Sequence, residues 1–178
     1  MDVLHHFLFQ VVELSEAVAL KSLENLEIAK LADKNGRTVA HAAVGSYKSV
    51  ALEALKNPEI AKLADKNGRT VAHAAIAHYE SAAFEALKNL EIAKLADKNG
   101  WTISHSAVVR YKSAALKALE IPEIAELEDN DGHTVAHSAV SNHKSAALKA
   151  LKNPEIFGKL KDKRGKSVLQ SAVEKFSK

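Results

Sequence analysis

The sequence predicts an all-α protein, a right-handed α-solenoid of stacked helical repeats. Two observations support this fold class: a motif that recurs every 32 residues, and segments rich in alanine and leucine within each copy. Residues 25–56 and 57–88 are identical at 25 of 32 aligned positions. A fixed period of this length is typical of solenoids, whose units are too small to bury their apolar faces alone and therefore stack.

We expect the chain to form one repeat domain, residues 1–178. The end units are predicted to be atypical, since each has one face without a neighbouring repeat. The predicted units are an N-terminal capping half-repeat at 1–24, full repeats at 25–56, 57–88, 89–120 and 121–152, and a C-terminal capping repeat at 153–178. The last copy has one extra residue between Ile156 and Asp162, so its geometry is expected to deviate there.

The second copy shows how one unit is built. Asn57-Pro58 ends the preceding helix, and Pro58 suits the first turn of a new one, where its missing N–H is not needed. The short segment PEIAKLA is therefore predicted to be helical up to Ala64. The sequence Asp65-Lys-Asn-Gly68 is typical of a tight turn in which glycine takes a positive φ.

Two longer helices follow that turn. Thr70 is predicted to cap the first, which has Val71 and several alanines on its inner side. A break near Tyr79 separates it from the second, for which Ser81 is the predicted N-cap. Each unit thus contains a short helix, a polar turn and two longer helices, and the turns are expected to line up along one edge.

The segment that begins at Asp33 resembles the opening of an ankyrin repeat, D-x-x-G-x-T-P-L-H-x-A. The match covers Asp33, Gly36, Thr38, His41 and Ala43, and it recurs in the next three copies. The period differs from the usual value of about 33, and the finger of the ankyrin repeat is replaced by the helical phrase NPEIAKLA. The resemblance implies a divergent, ankyrin-like α-solenoid. A weaker similarity links NPEIAKLAD to leucine-rich-variant repeats.

Histidine and tyrosine each recur at one repeat position. Zinc ligands lie about 2.0 to 2.1 Å from the ion, whereas equivalent residues of stacked helices lie about 8 to 10 Å apart, so no metal site is predicted. Instead, as the ankyrin resemblance implies, each histidine is expected to bond threonine or backbone groups of a neighbouring turn. The tyrosine row suggests either base stacking or a cover for the interhelical corner with hydroxyls in water, and we favour the cover. The two rows are His41, His73, His105 and His137, and Tyr47, Tyr79 and Tyr111.

Positions that vary between otherwise similar copies are the candidate binding residues. The residue after the turn glycine is Arg37, Arg69, Trp101 or His133 in the four full copies. A second variable position, at the break between the long helices, carries His78 and Arg110. Variation indicates exposure, and tryptophan and arginine are enriched at binding hot spots. We therefore predict that this edge binds a protein or peptide; neutral drift on a tolerant surface would produce the same variation.

The charge distribution supports an alternative partner, nucleic acid. The formal net charge is +3, yet residues 158–178 alone carry seven basic and two acidic side chains. A basic surface favours sequence-independent, salt-sensitive binding to phosphates. The candidate residues are Lys159, Lys161, Lys163, Arg164 and Lys166. A third hypothesis is that the chain is part of a longer array without an activity of its own.

Several function classes lack support in the sequence. There is no cysteine, and neither a P-loop nor a nucleophile-elbow pattern occurs, so no catalytic residue, cofactor or enzymatic activity is predicted. Asp2 stands where a secretory signal has its positive region, and Gln10 and Glu13 interrupt the apolar stretch that follows. We expect no membrane partner and a cytoplasmic location, with which the lack of cysteine is compatible.

Overall fold

The computed structural model describes the backbone of residues 3–177 and the side chains of residues 7–177; Met1, Asp2 and Lys178 lie outside it. Three kinds of helix recur along the described chain. The first helices are α1 Val3–Leu14, α4 Val39–Ser46, α7 Val71–His78, α10 Ile103–Arg110, α13 Val135–Asn142 and α16 Val168–Phe176. The second helices are α2 Glu16–Glu24, α5 Lys48–Lys56, α8 Glu80–Lys88, α11 Lys112–Ala118 and α14 Lys144–Leu151. The short helices are α3 Leu26–Ala29, α6 Pro58–Ala61, α9 Leu90–Ala93, α12 Pro122–Ala125 and α15 Pro154–Phe157.

The helices form two stacked rows. Helix α4 contacts α1 on one side and α7 on the other, while α5 contacts α2 and α8 in the same way. The core between the rows consists mainly of small side chains, such as Ala51, Ala82 and Ala114, which have no exposed surface. Alanine at these positions lets the helix axes approach closely. The described residues form an all-α solenoid with no β-sheet.

Threonine caps start each first helix of the full repeats. The Oγ1 of Thr70 accepts a hydrogen bond from the His73 backbone N–H at the start of α7. The predicted cap by Thr70 is thus confirmed, and the one by Ser81 is wrong. Helix α8 begins at Glu80, two residues before the start that a cap by Ser81 implies, because the extended N-cap residue is Tyr79. The Ser81 hydroxyl lies buried without a hydrogen-bond partner among the described residues.

A tight turn follows each short helix. Asn57 caps α6 by accepting the Glu59 N–H at 3.0 Å. The helix ends at Ala61, before the predicted Ala64, because Ala64 leaves the helix to form an isolated antiparallel bridge with Thr70. In place of an extended finger, each repeat therefore has a short helix and a turn closed by one bridge.

The last unit deviates at its extra residue. Phe157 is 3% exposed and fills the core, whereas Ile156 is 53% exposed. Gly158 follows at a point where a Cβ atom would lie 2.6 Å from the Pro154 carbonyl oxygen. Asn153 no longer caps its short helix, since its side chain donates to the Lys149 carbonyl instead. The short helix keeps its four residues, so the extra residue is absorbed in the turn between the end of α15 and the bridge at Lys161.

Candidate binding groove

Histidine joins each turn to the turn of the next unit. His41 Nδ1 accepts a hydrogen bond from the Thr38 backbone N–H at 3.2 Å and lies 2.7 Å from Thr38 Oγ1. Its Nε2 lies 3.0 Å from the carbonyl oxygen of Arg69. A carbonyl only accepts, so Nε2 carries a proton. Nδ1 accepts the Thr38 N–H and therefore carries none, which makes the ring neutral. Equivalent contacts join His73, His105 and His137 to the carbonyls of Trp101, His133 and Lys166.

Burial keeps these imidazoles in the neutral form. In His105, loss of solvation lowers the pKa below its usual value, and this exceeds the upward effect of the bond to the His133 carbonyl. Burial is also the main cause of a lowered pKa in the other three, His41, His73 and His137. The expectation that these histidines bond threonine and a neighbouring turn is confirmed. Their role in the structure is to join each first helix to the turn of the next unit.

Backbone hydrogen bonds align the polar turns along one edge. The Lys66 N–H donates to the Asn35 carbonyl at 3.1 Å, and the Lys98 N–H donates to the Asn67 carbonyl at 3.2 Å. The next two turns are joined in the same manner, through Asn130 to Asn99 and Lys163 to Asp131. Because a backbone hydrogen bond joins each turn to the next one, the turns follow each other regularly. The variable residue after each turn glycine therefore recurs along the same edge.

Arg69, Trp101 and Arg110 line one cleft of about 400 Å³. Arg69 and Trp101 come from consecutive turns, whereas Arg110 comes from the end of α10. The half-buried indole of Trp101 packs over the buried imidazole of His105, with ring centroids 5.0 Å apart. This packing on a fixed neighbour orients the indole along the cleft wall.

A second cleft of about 330 Å³ adjoins the first. Its lining includes Arg37, Arg69 and His78. Arg69 lines both clefts, which makes them one continuous surface. We call this surface the groove and define it by Arg37, Arg69, His78, Trp101 and Arg110.

The charges of the groove are only partly neutralised. Arg37 forms an ion pair with Glu13 at 3.3 Å. Within the described residues, neither Arg69 nor Arg110 forms an ion pair. The carboxylate of Asp97 also lines the first cleft, but its Oδ1 accepts the Asn99 and Trp101 backbone N–H groups. Asp97 thus serves the turn, and the two guanidinium groups have no ion-pair partner among the described residues.

His133 does not line either cleft. It lies one unit beyond Trp101, with its ring Nε2 3.8 Å from the Asp162 carboxylate. A hydrogen bond from the Lys166 backbone N–H is the main reason that the pKa of Asp162 is lowered. Of the candidate residues on this edge, the structure thus brings five together and leaves His133 beside them.

The first cleft also contains residues that the sequence did not indicate as binding residues, among them Asp97 and Ser106. Asp97 occupies the turn position of Asp65, and its hydrogen bonds to backbone N–H groups explain its presence there. Ser106 carried a usable signal, since the first two full copies have Ala42 and Ala74 at this position. A larger cleft, about 560 Å³, lies between the second helices α5 and α8, but Leu55 and Ser81 in its lining recur in every full copy.

The tyrosine row stabilises the stack. The Tyr111 hydroxyl donates to the Ile76 carbonyl at 3.0 Å, and the Tyr47 hydroxyl donates to the Glu13 carbonyl at 3.1 Å. The expectation that these hydroxyls reach water is therefore wrong, because the ring spans the gap to the preceding first helix. His143 replaces tyrosine in the fourth copy and bonds the Val108 carbonyl at 2.8 Å.

The basic residues proposed for nucleic acid lie in the last turn and beside it. Lys166 pairs with Glu174 at 2.6 Å, and Lys163 donates to the Asn130 carbonyl. The exposed residues among them are Lys159, Lys161, Lys163 and Arg164. Lys178, part of the same basic run, lies outside the described residues.

Within the described residues, no helix combines the length and the apolar character that crossing a membrane requires. No group of three or more histidine, aspartate or glutamate side chains comes together there as a potential metal site.

Comparisons with known proteins show the fold. No protein-family model matches the chain, and no curated protein sequence matches it. One similar solved chain belongs to the complex of a predatory endopeptidase from Bdellovibrio bacteriovorus with an immunity protein. It has a TM-score of 0.64 and 18% identity, and the match covers 96% of this chain and 92% of that chain.

A second similar structure is the ankyrin repeat domain of Bcl-3, a member of the IkappaB protein family. The TM-score is 0.59 at 16% identity, and the match covers 94% of this chain and 81% of that chain. At such identity the likeness concerns the fold alone. The fold is therefore an all-α, ankyrin-like solenoid, as the repeated motif predicts.

Proposed function

We propose that this protein is a non-enzymatic scaffold that binds a protein or peptide segment along the groove. One observation carries the proposal: the half-buried Trp101 lines one cleft together with Arg69 and Arg110, which have no ion-pair partners among the described residues. Tryptophan and arginine are among the residue types that dominate binding energy at protein interfaces. One of the similar structures is itself a protein complex, which is consistent with this function.

The unpaired guanidinium groups favour a partner with acidic side chains. Arginine binds a carboxylate through two parallel hydrogen bonds, which fixes the orientation of the partner as well as adding affinity. An aromatic or aliphatic side chain placed against Trp101 supplies the apolar contact. The preferred ligand is thus a segment that combines acidic residues with at least one apolar residue.

A binding selection tests the proposal. Peptides are selected from a random displayed library on the immobilised protein, and the affinity of the best one is measured by fluorescence anisotropy. We expect Trp101→Ala to weaken binding roughly 30-fold, the loss equivalent to about 2 kcal/mol. The double variant R69A/R110A should weaken it as well, and should reduce its dependence on salt.

Arg164→Ala is the matched control, because Arg164 is an exposed arginine of the last turn, outside the groove. It should leave peptide affinity unchanged. If the selected peptides bind the Trp101 and arginine variants as tightly as the wild type, the groove is not the binding site. Saturable DNA binding at low salt that is lost in Arg164→Ala would instead favour the nucleic-acid alternative.

A further inference from the structure

The cleft between α5 and α8 contains a serine hydroxyl without a partner. Its volume of about 560 Å³ is within the range of small-molecule sites. Leu52 and Leu55 are its apolar lining residues, and Lys48 and Ser81 lie in the same lining. Among the described residues, the Ser81 hydroxyl has no hydrogen-bond partner and Lys48 forms no ion pair. Because a buried hydroxyl without a partner costs free energy, this point favours a polar ligand atom.

The equivalent serines show which chemical group binds such a hydroxyl. Ser49 donates to the Glu16 carboxylate, and Ser113 donates to the Glu80 carboxylate. In both pairs the glutamate is the first residue of the preceding second helix, the position that Lys48 occupies in α5. Helices α2 and α8 thus supply a carboxylate to the next serine, whereas α5 supplies an ammonium group. A carboxylate from a ligand would complete the same contact and would also pair with this ammonium group.

A side chain bridges the gap between α11 and α14, and the cleft between α5 and α8 has no such bridge. The Ser145 hydroxyl also lacks a partner among the described residues, but Lys149 of α14 crosses to α11 and pairs with Glu120 at 2.7 Å. In α8 the position of Lys149 is taken by Glu85, which pairs with Lys88 of its own helix at 2.7 Å. Within the described residues, no ion pair therefore joins α5 to α8.

The spacing of residues on α5 indicates the shape of the ligand. Lys48 and Leu52 are four residues apart, so their Cβ atoms lie about 5 to 6 Å apart on one face of the helix. Leu55 lies three residues further along the same face and is 6% exposed. A ligand whose carboxylate binds at Lys48 therefore reaches both leucines with an apolar group at the end of a short alkyl chain.

We propose that this cleft, lined by Lys48, Leu52, Leu55 and Ser81, binds a small carboxylic acid that carries an aromatic or aliphatic group on a short alkyl chain. The carboxylate accepts hydrogen bonds from the Ser81 hydroxyl and the Lys48 ammonium group, and the apolar group packs on the two leucines. Rotation of Ser81 about χ1 turns its hydroxyl toward the ligand, since a serine side chain has three staggered positions. The site lies on the second helices and is separate from the groove, which is formed by turns and first helices.

The test uses 4-phenylbutyrate as the ligand and follows binding by the NMR shifts of leucine methyl groups. We expect saturable shifts at Leu52 and Leu55. Lys48→Glu should raise Kd at least tenfold, because the introduced carboxylate takes the Ser81 hydroxyl as glutamate does from α2 and α8. 4-Phenyl-1-butanol, which lacks the carboxylate, should also bind at least tenfold more weakly. Lys48 is exposed, so the variant should retain the wild-type circular dichroism spectrum.

Lys112→Glu is the matched control, because Lys112 is the exposed equivalent of Lys48 in α11. It should leave the Kd of 4-phenylbutyrate unchanged, and so should Trp101→Ala. The proposal is overturned if the wild type shows no saturable binding, if Lys48→Glu and Lys112→Glu weaken binding equally, or if the alcohol binds as tightly as the acid. Loss of binding in Trp101→Ala would overturn it too, because the acid would then occupy the groove.

Discussion

Single side chains join consecutive units at two places. The imidazole of each repeated histidine links its own threonine cap to a carbonyl of the next turn, and the tyrosine hydroxyl reaches back to the preceding first helix. In the last unit Gln170 takes the histidine position and accepts the Ser167 N–H at 2.7 Å. A neutral side chain with one acceptor and one donor therefore meets the structural need at this position.

The buried histidines make stability depend on pH. Their folded pKa values lie below the unfolded value of about 6.5, so the unfolded chain takes up protons first as pH falls. The stabilisation is complete above about pH 6.5 and is lost progressively below it. We expect the urea midpoint to fall between pH 7.5 and pH 5.5, and to fall less in His105→Gln.

His78→Gln is the control for this experiment, because His78 is exposed and lies outside the buried row. It should retain the pH dependence of the wild type. A pH dependence that is identical in His105→Gln and in the wild type would show that the buried row is not its origin.

The polar turn is the element that sets the spacing of the groove residues. Each turn depends on a glycine with positive φ, and four of these glycines also lie against the following turn. A Cβ atom on Gly68 would lie 2.9 Å from the Lys98 backbone nitrogen, whereas one on Gly165 would have no neighbour within 4 Å. The chain thus contains the same turn with and without a contact to the next unit.

Substitution of these two glycines separates two contributions to the free energy of unfolding: backbone strain within the turn, and contact between consecutive turns. Gly165→Ala should lower the free energy of unfolding by about 1 kcal/mol, the effect of positive φ on a residue with a side chain. Gly68→Ala should lower it further, because the added methyl group also pushes the next turn away. Urea titration of both variants measures the difference. Equal losses would mean that contact between turns contributes nothing to the stack.

At the scale of the whole molecule, the repeats account for those features of the fold that could be predicted from the sequence. Every full copy keeps the residues that stacking needs, so the helices and the threonine caps followed from the pattern of each copy, whereas the bonding role of histidine followed from the ankyrin resemblance. The tyrosine hydroxyls were assigned wrongly because their acceptors belong to the preceding unit, about 35 residues away in sequence. A pattern within one repeat does not indicate a contact between residues so far apart in sequence.

The groove was predictable only in part. Sequence variation after the turn glycine indicated Arg69 and Trp101. Variation at the break between the two long helices indicated Arg110. The sequence did not show that these three share one cleft, because their convergence depends on how the turns and first helices stack. It also did not separate Arg37, which pairs with Glu13, from Arg69, which has no such partner among the described residues.

Trp101 provides the most direct measurement of the central claim that the groove binds a partner. It is the only tryptophan in the sequence, so its emission reports on this one surface. Titration with the selected acidic peptide should change the emission intensity or wavelength, saturating with the Kd that anisotropy gives. Peptide binding that saturates in anisotropy with no change in Trp101 emission would place the partner elsewhere and contradict the account.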